Sequence, residues 1–126
     1  MPAFPWSSRA PLDPDTTYVV MASRLPLRRG ASVPGFLRDT LAIRRQLAAA
    51  DGLVGYALDA NLARHTFWTF SVWADAASLD AFARSDPHRQ IIARLRPLMG
   101  ETRFSTSTMA GSTIPSTWAQ RKALVS

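Results

Sequence analysis

The sequence predicts a ferredoxin-like α+β domain, with a four-stranded antiparallel sheet and two helices on one face. Three observations lead to this prediction. A chain of 126 residues fits one globular domain with a substantial core. Its apolar residues alternate in four segments and recur at helical spacing in two others. These segments follow the order strand, helix, strand, strand, helix, strand, which is typical of the split β-α-β arrangement.

The N-terminal arm, residues 1–16, contains four prolines: Pro2, Pro5, Pro11 and Pro14. Because proline lacks a backbone N–H and fixes φ, we expect an extended arm without helix or ladder pairing. Trp6 would hold this arm against the body of the domain.

The ferredoxin-like body is predicted over residues 17–109, and its first strand covers residues 17–25. Ser32 is a favourable N-cap for the first helix, and Pro34 lies in the first turn, where its missing N–H costs little. Apolar side chains recur at helical spacing from there to residue 50. The polar side chains of this helix fall on its solvent side: Arg38, Arg45 and Gln46.

Three more strands and a second helix complete the body. The strands cover residues 53–60, 65–73 and 102–109. Asp75 is a favourable N-cap for the second helix, and Asp86 with Pro87 bends or restarts it. The C-terminal tail, residues 110–126, is expected to carry a short helix that holds Trp118.

The third predicted strand presents large side chains on both faces of the sheet. They are Phe67, Thr69, Ser71 and Trp73 on one face, and Trp68, Phe70 and Val72 on the other. Since neither face is polar, both must be covered. The helices cover one face, and we expect a second copy of the chain to cover the other, as a two-fold homodimer.

Composition excludes several classes of site. The chain has no cysteine, so disulfides, thiolate metal sites and cysteine nucleophiles are ruled out. Its two histidines, His65 and His88, cannot form a three-histidine metal site. The net charge of +6 comes from scattered arginines, which favours a solvated basic surface over nucleic-acid binding. No segment predicts a membrane helix or a signal peptide, so we expect a cytoplasmic protein.

The segment from Phe67 to Trp73, followed by Leu79, Phe82 and His88, resembles the dimeric α/β-barrel superfamily. More narrowly, it is similar to the antibiotic-biosynthesis monooxygenases and to a related uncharacterised actinobacterial family. This resemblance implies the ferredoxin-like fold, a homodimer and a monooxygenase-type reaction. The superfamily also includes haem-degrading enzymes, haem peroxidases, isomerases, dehydratases and members with no known chemistry.

Haem is an alternative ligand that the resemblance suggests. The haem-degrading branch has an Asn, a Trp and a haem-ligating His where this chain has Ser23, Phe82 and Ile92. Since none of the three is kept, haem cleavage of that kind is disfavoured. Haem bound through His88 as axial ligand stays open, although no cofactor at all is the favoured prediction.

His88 and Arg89 are the candidate catalytic residues. At a helix N-terminus the positive end of the dipole disfavours an imidazolium, so His88 is predicted to be neutral. A neutral imidazole serves as base or ligand, and Arg89 beside it would pair with an anionic substrate. The alternative for His88 is a structural histidine that bonds a backbone carbonyl, and for Arg89 a solvated arginine.

The candidate substrate-binding residues lie on the strands. Hydroxyl groups inside an apolar chamber are typical of ligand sites, and aromatic side chains would form its walls. The predicted set is Tyr56, Phe67, Trp68, Thr69, Ser71 and Trp73. A role in the plain core is the alternative for each aromatic residue. Asp59 and Asp86 are the carboxylates expected nearest the chamber, with turn and cap roles as their alternative.

Three functions follow from these predictions. The favoured one is a small monooxygenase-type enzyme, without cofactor, acting on a hydrophobic aromatic or polyketide-like molecule. Its substrate would lose a proton to His88 and react with O₂ as an anion, between walls formed by Trp68 and Trp73. The second is a haem-binding protein with His88 as ligand. The third is a non-catalytic ligand-binding or scaffold protein.

Overall fold

The computed structural model describes residues 4–126, which contain five strands and four α-helices. The strands are β1 (Phe4–Ser8), β2 (Thr17–Pro26), β3 (Leu53–Asn61), β4 (Thr66–Trp73) and β5 (Arg103–Ala110). The helices are α1 (Val33–Ala48), α2 (Ala76–Arg84), α3 (His88–Leu95) and α4 (Trp118–Ala123).

All neighbouring strands pair antiparallel, in the order β1-β3-β4-β2-β5. The four strands β2 to β5 with α1 between the first two and α2–α3 between the last two give the predicted ferredoxin-like topology. The register sets Thr69 of β4 opposite Ser23 of β2. Ser71, two residues further along β4, pairs with Met21 of β2 and Tyr56 of β3. Polar side chains from three strands therefore meet near the middle of the sheet.

Strand β1 is additional to the four predicted strands. It corrects the prediction of an unpaired arm, because it forms a ladder with β3. An edge strand tolerates proline, since only one side of its backbone needs to pair. The register shifts between Phe4 and Ser7, which is where Pro5 lies. The prediction for Trp6 is confirmed: its ring covers Gly55, where no space is left for a Cβ atom, and lies 6.2 Å from the Phe70 ring.

One face of the sheet, called here the helical face, carries Val19, Leu25, Phe67 and Trp73 against α1, α2 and α3. The Phe67 ring is fully buried, and its centroid lies 4.2 Å from that of Phe36 in α1. Ile91 and Leu95 of α3 complete this part of the core. The prediction that the two helical segments of the ferredoxin-like body share one face is confirmed.

The opposite face, called here the terminal face, is covered by both ends of the same chain. Its strand residues, buried in the single chain, are Tyr18, Val20, Ala22, Val54, Phe70 and Val72. Trp6, Trp118, Leu124 and Val125 pack on them. The expected cover by a second copy is therefore wrong for this face, because the tail folds back over the sheet. The homodimer itself stays a prediction.

Helix termini differ from the predictions in two places. Asp75 caps α2 as predicted, since its carboxylate accepts the Ser78 backbone N–H at 2.7 Å. Ser32 lies at the N-cap position of α1, but its hydroxyl makes no capping bond. Asp86 does not cap α3, which starts at His88 after Pro87. Its carboxylate instead accepts hydrogen bonds from the side chains of Arg89 and Gln90.

Among the helices of residues 4–126, none combines the length and the apolar character needed to cross a membrane.

Candidate functional site

A cavity of about 140 Å³ lies between the helical face of the sheet and the three helices α1, α2 and α3. Its floor comes from β2, β3 and β4, and its roof from the apolar sides of the helices. The lining includes Met21, Ser23, Phe36, Asp39, Ile43, Leu47, Tyr56, Thr69, Ser71, Trp73, Leu79, Phe82, His88, Ile92, Leu95 and Phe104. The cavity is thus largely apolar, with a few polar groups on its floor and on the helices above it.

Hydroxyl groups on the floor keep hydrogen-bonding capacity for a ligand. Ser71 Oγ accepts the indole N–H of Trp73 at 2.9 Å, which leaves the Ser71 proton free to donate. Ser23 and Thr69 share one hydrogen bond across the strands. Since one hydroxyl donates in that pair, the proton of the other remains available. The floor therefore offers donors to an oxygen atom of a bound molecule.

His88 lines the cavity from the first position of α3. Its imidazole lies against the Phe82 ring, with centroids 4.9 Å apart, and Nδ1 is 3.1 Å from the carbonyl oxygen of Ala83. A carbonyl only accepts, so Nδ1 carries the proton and Nε2 keeps its lone pair. A structural histidine was predicted to form a hydrogen bond to a backbone carbonyl, and this hydrogen bond is present. It fixes the tautomer of an imidazole that also lines the cavity.

Burial is the main cause that lowers the pKa of His88 below its ordinary value of 6.5. The hydrogen bond to the Ala83 carbonyl acts in the opposite direction, because it favours the charged ring. The neutral imidazole expected from the sequence is therefore supported, although desolvation is the leading cause here and the helix dipole was the expected one. Near neutral pH, Nε2 is an unprotonated base.

Gln46 of α1 holds the junction between α2 and α3. Its Oε1 accepts the backbone N–H of His88 at 2.9 Å, while Nε2 donates to the carbonyls of Phe82 at 3.2 Å and Ser85 at 3.4 Å. The predicted solvent-side position of Gln46 is wrong, because the α2–α3 junction packs against that side of α1. Gln46 thereby fixes the backbone that positions the imidazole.

The carboxylate that lines the cavity is Asp39 of α1, and it is buried. Its Oδ1 lies 2.6 Å from Nη2 of Arg94 on α3. The two carboxylates expected there lie elsewhere: Asp59 pairs with Lys122 at 2.7 Å on the terminal face, and Asp86 is exposed. The ion pair of Asp39 joins α1 to α3 across the roof of the cavity.

The structure brings together five of the eight predicted site residues: Tyr56, Thr69, Ser71, Trp73 and His88 all line the cavity. The phenol oxygen of Tyr56 accepts a hydrogen bond from Nε of Arg44 at 3.1 Å. Trp73 is buried, with its ring centroid 5.3 Å from that of Phe82. These residues come from β3, β4 and α3, so the fold assembles the site.

The other three predicted residues lie away from the cavity. Phe67 is fully buried in the core beside Phe36. Trp68 lies on the terminal face, because strand alternation turns it away from Thr69, and Nζ of Lys122 lies 4.0 Å from its ring centroid. Arg89 is 64% exposed and pairs with Asp86 at 3.1 Å, so its guanidinium faces solvent.

Sequence reasoning missed Ser23, Asp39 and Gln46. Strand alternation with Met21 and Leu25 would have found Ser23. Asp39 follows the buried Phe36 by three residues, so helical spacing would have placed it on the inner face of α1. No local signal marks Gln46, because its partners lie 36 to 42 residues away in the chain.

Metal ligation has little support in the described residues. Nowhere in residues 4–126 do three or more His, Asp or Glu side chains come together as a metal site would require.

Comparison with known proteins gives a family match and several structural relatives. The family model for antibiotic biosynthesis monooxygenases matches residues 26–94, more than half of the chain. No curated protein sequence matches the chain. The solved structures described next share less than 25% sequence identity with the chain, so their similarity concerns the fold alone.

A conserved protein from Methanosarcina mazei has a TM-score of 0.65 and 18% identity, over 73% of this chain and 92% of its own. A protein from Pseudomonas aeruginosa has a TM-score of 0.61 and 16% identity, over 77% of this chain and 97% of its own. A variant of SnoaB, a cofactor-independent oxygenase from Streptomyces nogalater, has a TM-score of 0.54 and 16% identity, over 80% of this chain and 96% of its own.

Proposed function

The chain belongs to the antibiotic biosynthesis monooxygenase family, and from this membership we propose that it is a monooxygenase of small aromatic molecules that needs no cofactor. The observation that carries the proposal is the cavity itself, where a neutral imidazole with a free Nε2 borders an apolar chamber with hydroxyl donors on its floor. The likeness to a cofactor-independent oxygenase supports the same reaction class.

The size of the cavity supports a substrate that inserts one ring. An apolar cavity of roughly 150 Å³ encloses a benzene molecule, and this one measures about 140 Å³. A polyketide-like molecule of several rings would place one ring in the cavity and leave the rest at the mouth. Phe104 of β5 lines the cavity and is 65% exposed, so it would give such a molecule an apolar contact outside.

Removal of a proton by His88 is the proposed first step. Nε2 would take the proton of a hydroxyarene, and the floor hydroxyls of Ser71 and of the Ser23–Thr69 pair would donate to the anionic oxygen. Tyr56 lies on the same floor, opposite Ser71 in the register. Because the chamber is largely apolar, these hydrogen bonds are stronger than they would be in water.

The electron-rich anion would then react with O₂ without an added reductant. Electron transfer from the ring and formation of a C–O bond give a peroxide, which takes the proton back from His88. Nε2 of His88, again unprotonated, takes the C–H proton at that carbon while the O–O bond breaks, which leaves a carbonyl and expels hydroxide; that proton then passes to the hydroxide to form water. One oxygen atom ends in the quinone and the other in water, and the substrate supplies all the electrons.

Haem does not fit this cavity. A porphyrin has four pyrrole rings, whereas a cavity of about 140 Å³ is close to the size that encloses one six-membered ring. The Nδ1–H bond to the Ala83 carbonyl would suit an axial histidine, but the cavity that His88 lines is too small to enclose the macrocycle. We therefore derive no step through haem.

Oxygen uptake with a panel of one-ring and two-ring hydroxyarenes tests the proposal. We expect His88→Ala to lower turnover by about 10²-fold or more, the usual range for loss of a general base. His65→Asn is the matched control, since Asn tolerates the left-handed backbone at that position (φ 52°) and His65 does not line the cavity. Full turnover in the His88→Ala variant would contradict the proposal. Hydroxyarenes that raise the melting temperature but are never oxidised would favour a non-catalytic ligand-binding protein.

A further inference from the structure

A second pocket, of about 210 Å³, lies on the terminal face of the sheet, where the N-terminal segment meets the C-terminal tail. Its walls are Trp6, Leu12, Ile114, Pro115, Ser116 and Arg121. None of these residues lines the cavity beside His88. The pocket is therefore separate from the site described above, with the sheet between the two.

Arg121 is the charged group of this pocket, and it is 7% exposed. The carbon of its guanidinium lies 4.8 Å from the centroid of Phe70, 5.0 Å from that of Trp118 and 5.7 Å from that of Trp6. These ring contacts stabilise a cation, because the faces of aromatic rings carry partial negative charge. They offset part of the cost of burial, which lowers the pKa of the guanidinium.

The guanidinium lacks an acidic partner. Within residues 4–126, no carboxylate lies within ion-pair distance of Arg121, and Asp59 is already paired with Lys122. Residues 1–3 are Met, Pro and Ala, which carry no acidic side chain. A buried cation normally pairs with an anion, because desolvation without a partner is costly.

The hydrogen-bonding capacity of Arg121 is also largely unused. Nε donates to the carbonyl of Pro115 at 3.3 Å, which is its one hydrogen bond among the described residues. A guanidinium has five N–H donors, so those on the two terminal nitrogens remain. Every fully buried side-chain nitrogen in residues 4–126 has a hydrogen-bond partner. Within that range the two terminal nitrogens of Arg121 have no such partner, so they keep some solvent-accessible surface. Arg121 lines the pocket.

We propose that this pocket binds a small molecule with a carboxylate group and an apolar body. The carboxylate oxygens would accept hydrogen bonds from the N–H groups of both terminal nitrogens of Arg121, in the bidentate geometry common to guanidinium–carboxylate pairs. The apolar body would contact Trp6, Leu12 and Ile114. Ser116 lines the same pocket, where its hydroxyl would form a hydrogen bond with a polar substituent. Such a ligand supplies the missing negative charge and fills the apolar space together.

Calorimetric titration of the full chain with sodium benzoate tests this site, with benzamide as the neutral analogue and acetate as the anion without an apolar body. We expect saturable binding of benzoate, and binding of benzamide and acetate that is at least about tenfold weaker. Arg121→Met should lose at least about tenfold in benzoate affinity. Lys122→Met is the matched control, because it removes one positive charge from the next residue of the same helix, and it should keep the affinity.

Several outcomes would overturn the proposal. These are no saturable binding up to about 10 mM benzoate, equal binding of benzamide or acetate, or unchanged affinity in the Arg121→Met variant. If that variant does not fold, the Arg121 Nε–H resonance of the unaltered protein decides, since benzoate should shift it and benzamide should not. Absence of that shift would refute the site. None of these results depends on whether the protein oxidises hydroxyarenes.

Discussion

The two faces of the sheet use the same strands but are covered in different ways. On the terminal face, strand residues such as Val72 and Phe70 are at most 1% exposed, and the tail packs directly on them. On the helical face, three helices leave a cavity of about 140 Å³. The difference comes from side-chain size along β4: Phe67 and Trp73 lie near its ends, while Thr69 and Ser71 lie between them.

The cavity arises from this pattern of large and small side chains. The large side chains of Phe67 and Trp73 pack against α1 and α2, with Phe36 and Phe82 as their ring partners. They keep the helices away from the short hydroxyl side chains in the middle of the strand. Folded interiors are otherwise close-packed, so a gap between large residues is a feature that the sequence itself builds in.

The largest expected difference between the faces is in how far the free energy of unfolding falls when an aromatic ring is removed. Phe70→Ala should lower the free energy of unfolding by about 3–5 kcal/mol, because Phe70 is fully enclosed on the terminal face. Phe82→Ala should lower it clearly less, since the Phe82 side chain is only half-buried in the intact protein. Denaturant-induced unfolding of both variants measures this, and equal costs would contradict the contrast between a packed face and a hollow one.

A smaller effect is expected from a single hydroxyl on the cavity floor. Ser71→Ala removes the acceptor of the buried Trp73 indole N–H, and an unsatisfied buried donor costs about 1–3 kcal/mol. Ser105→Ala on β5 is the matched control, with an expected change within about 0.5 kcal/mol, typical of partly exposed positions. Chemical denaturation measures the change in the free energy of unfolding for both variants. An equal effect of both substitutions would show that the Ser71 hydroxyl is unimportant for the floor.

The smallest expected effect is a pH dependence of stability on the helical face. Burial lowers the pKa of His88 in the folded protein, whereas the unfolded chain keeps the ordinary value of 6.5. Below pH 6.5 the unfolded state therefore binds more protons than the folded state. As the pH is lowered from 6.5, the free energy of unfolding falls until the pH is below the pKa of His88 in the folded protein. Unfolding free energies measured across this range should show a slope that His88→Gln reduces. A slope unchanged by His88→Gln would assign the effect to other groups.

The sequence predicted the fold because its signals are local and repeated. Alternation along residues 66–73, the Asp75 cap and helical spacing around Phe36 each act within a few residues. The prolines of the arm were misjudged because their effect depends on position in the sheet: β1 is an edge strand, where one side of the backbone stays unpaired.

The site was predicted in part, for a related reason. Thr69, Ser71, Trp73 and Tyr56 follow from strand alternation, and His88 from its place after a helix break. Trp68 and Phe67 have the aromatic character of a binding-site wall, but strand alternation turns Trp68 to the other face. Arg89 is next to His88 in the sequence, yet adjacent residues on a helix point in different directions.

By itself, the sequence determined the order of the elements, the two faces of each strand and the position of the imidazole at the start of α3. These depend on backbone geometry that repeats every two or 3.6 residues. Only the tertiary structure decided that the tail covers the terminal face, that Gln46 fixes the junction before His88, and that three rings surround Arg121. Each of these contacts joins distant segments, and packing of the whole chain selects among the many partners that an amphipathic segment can accept.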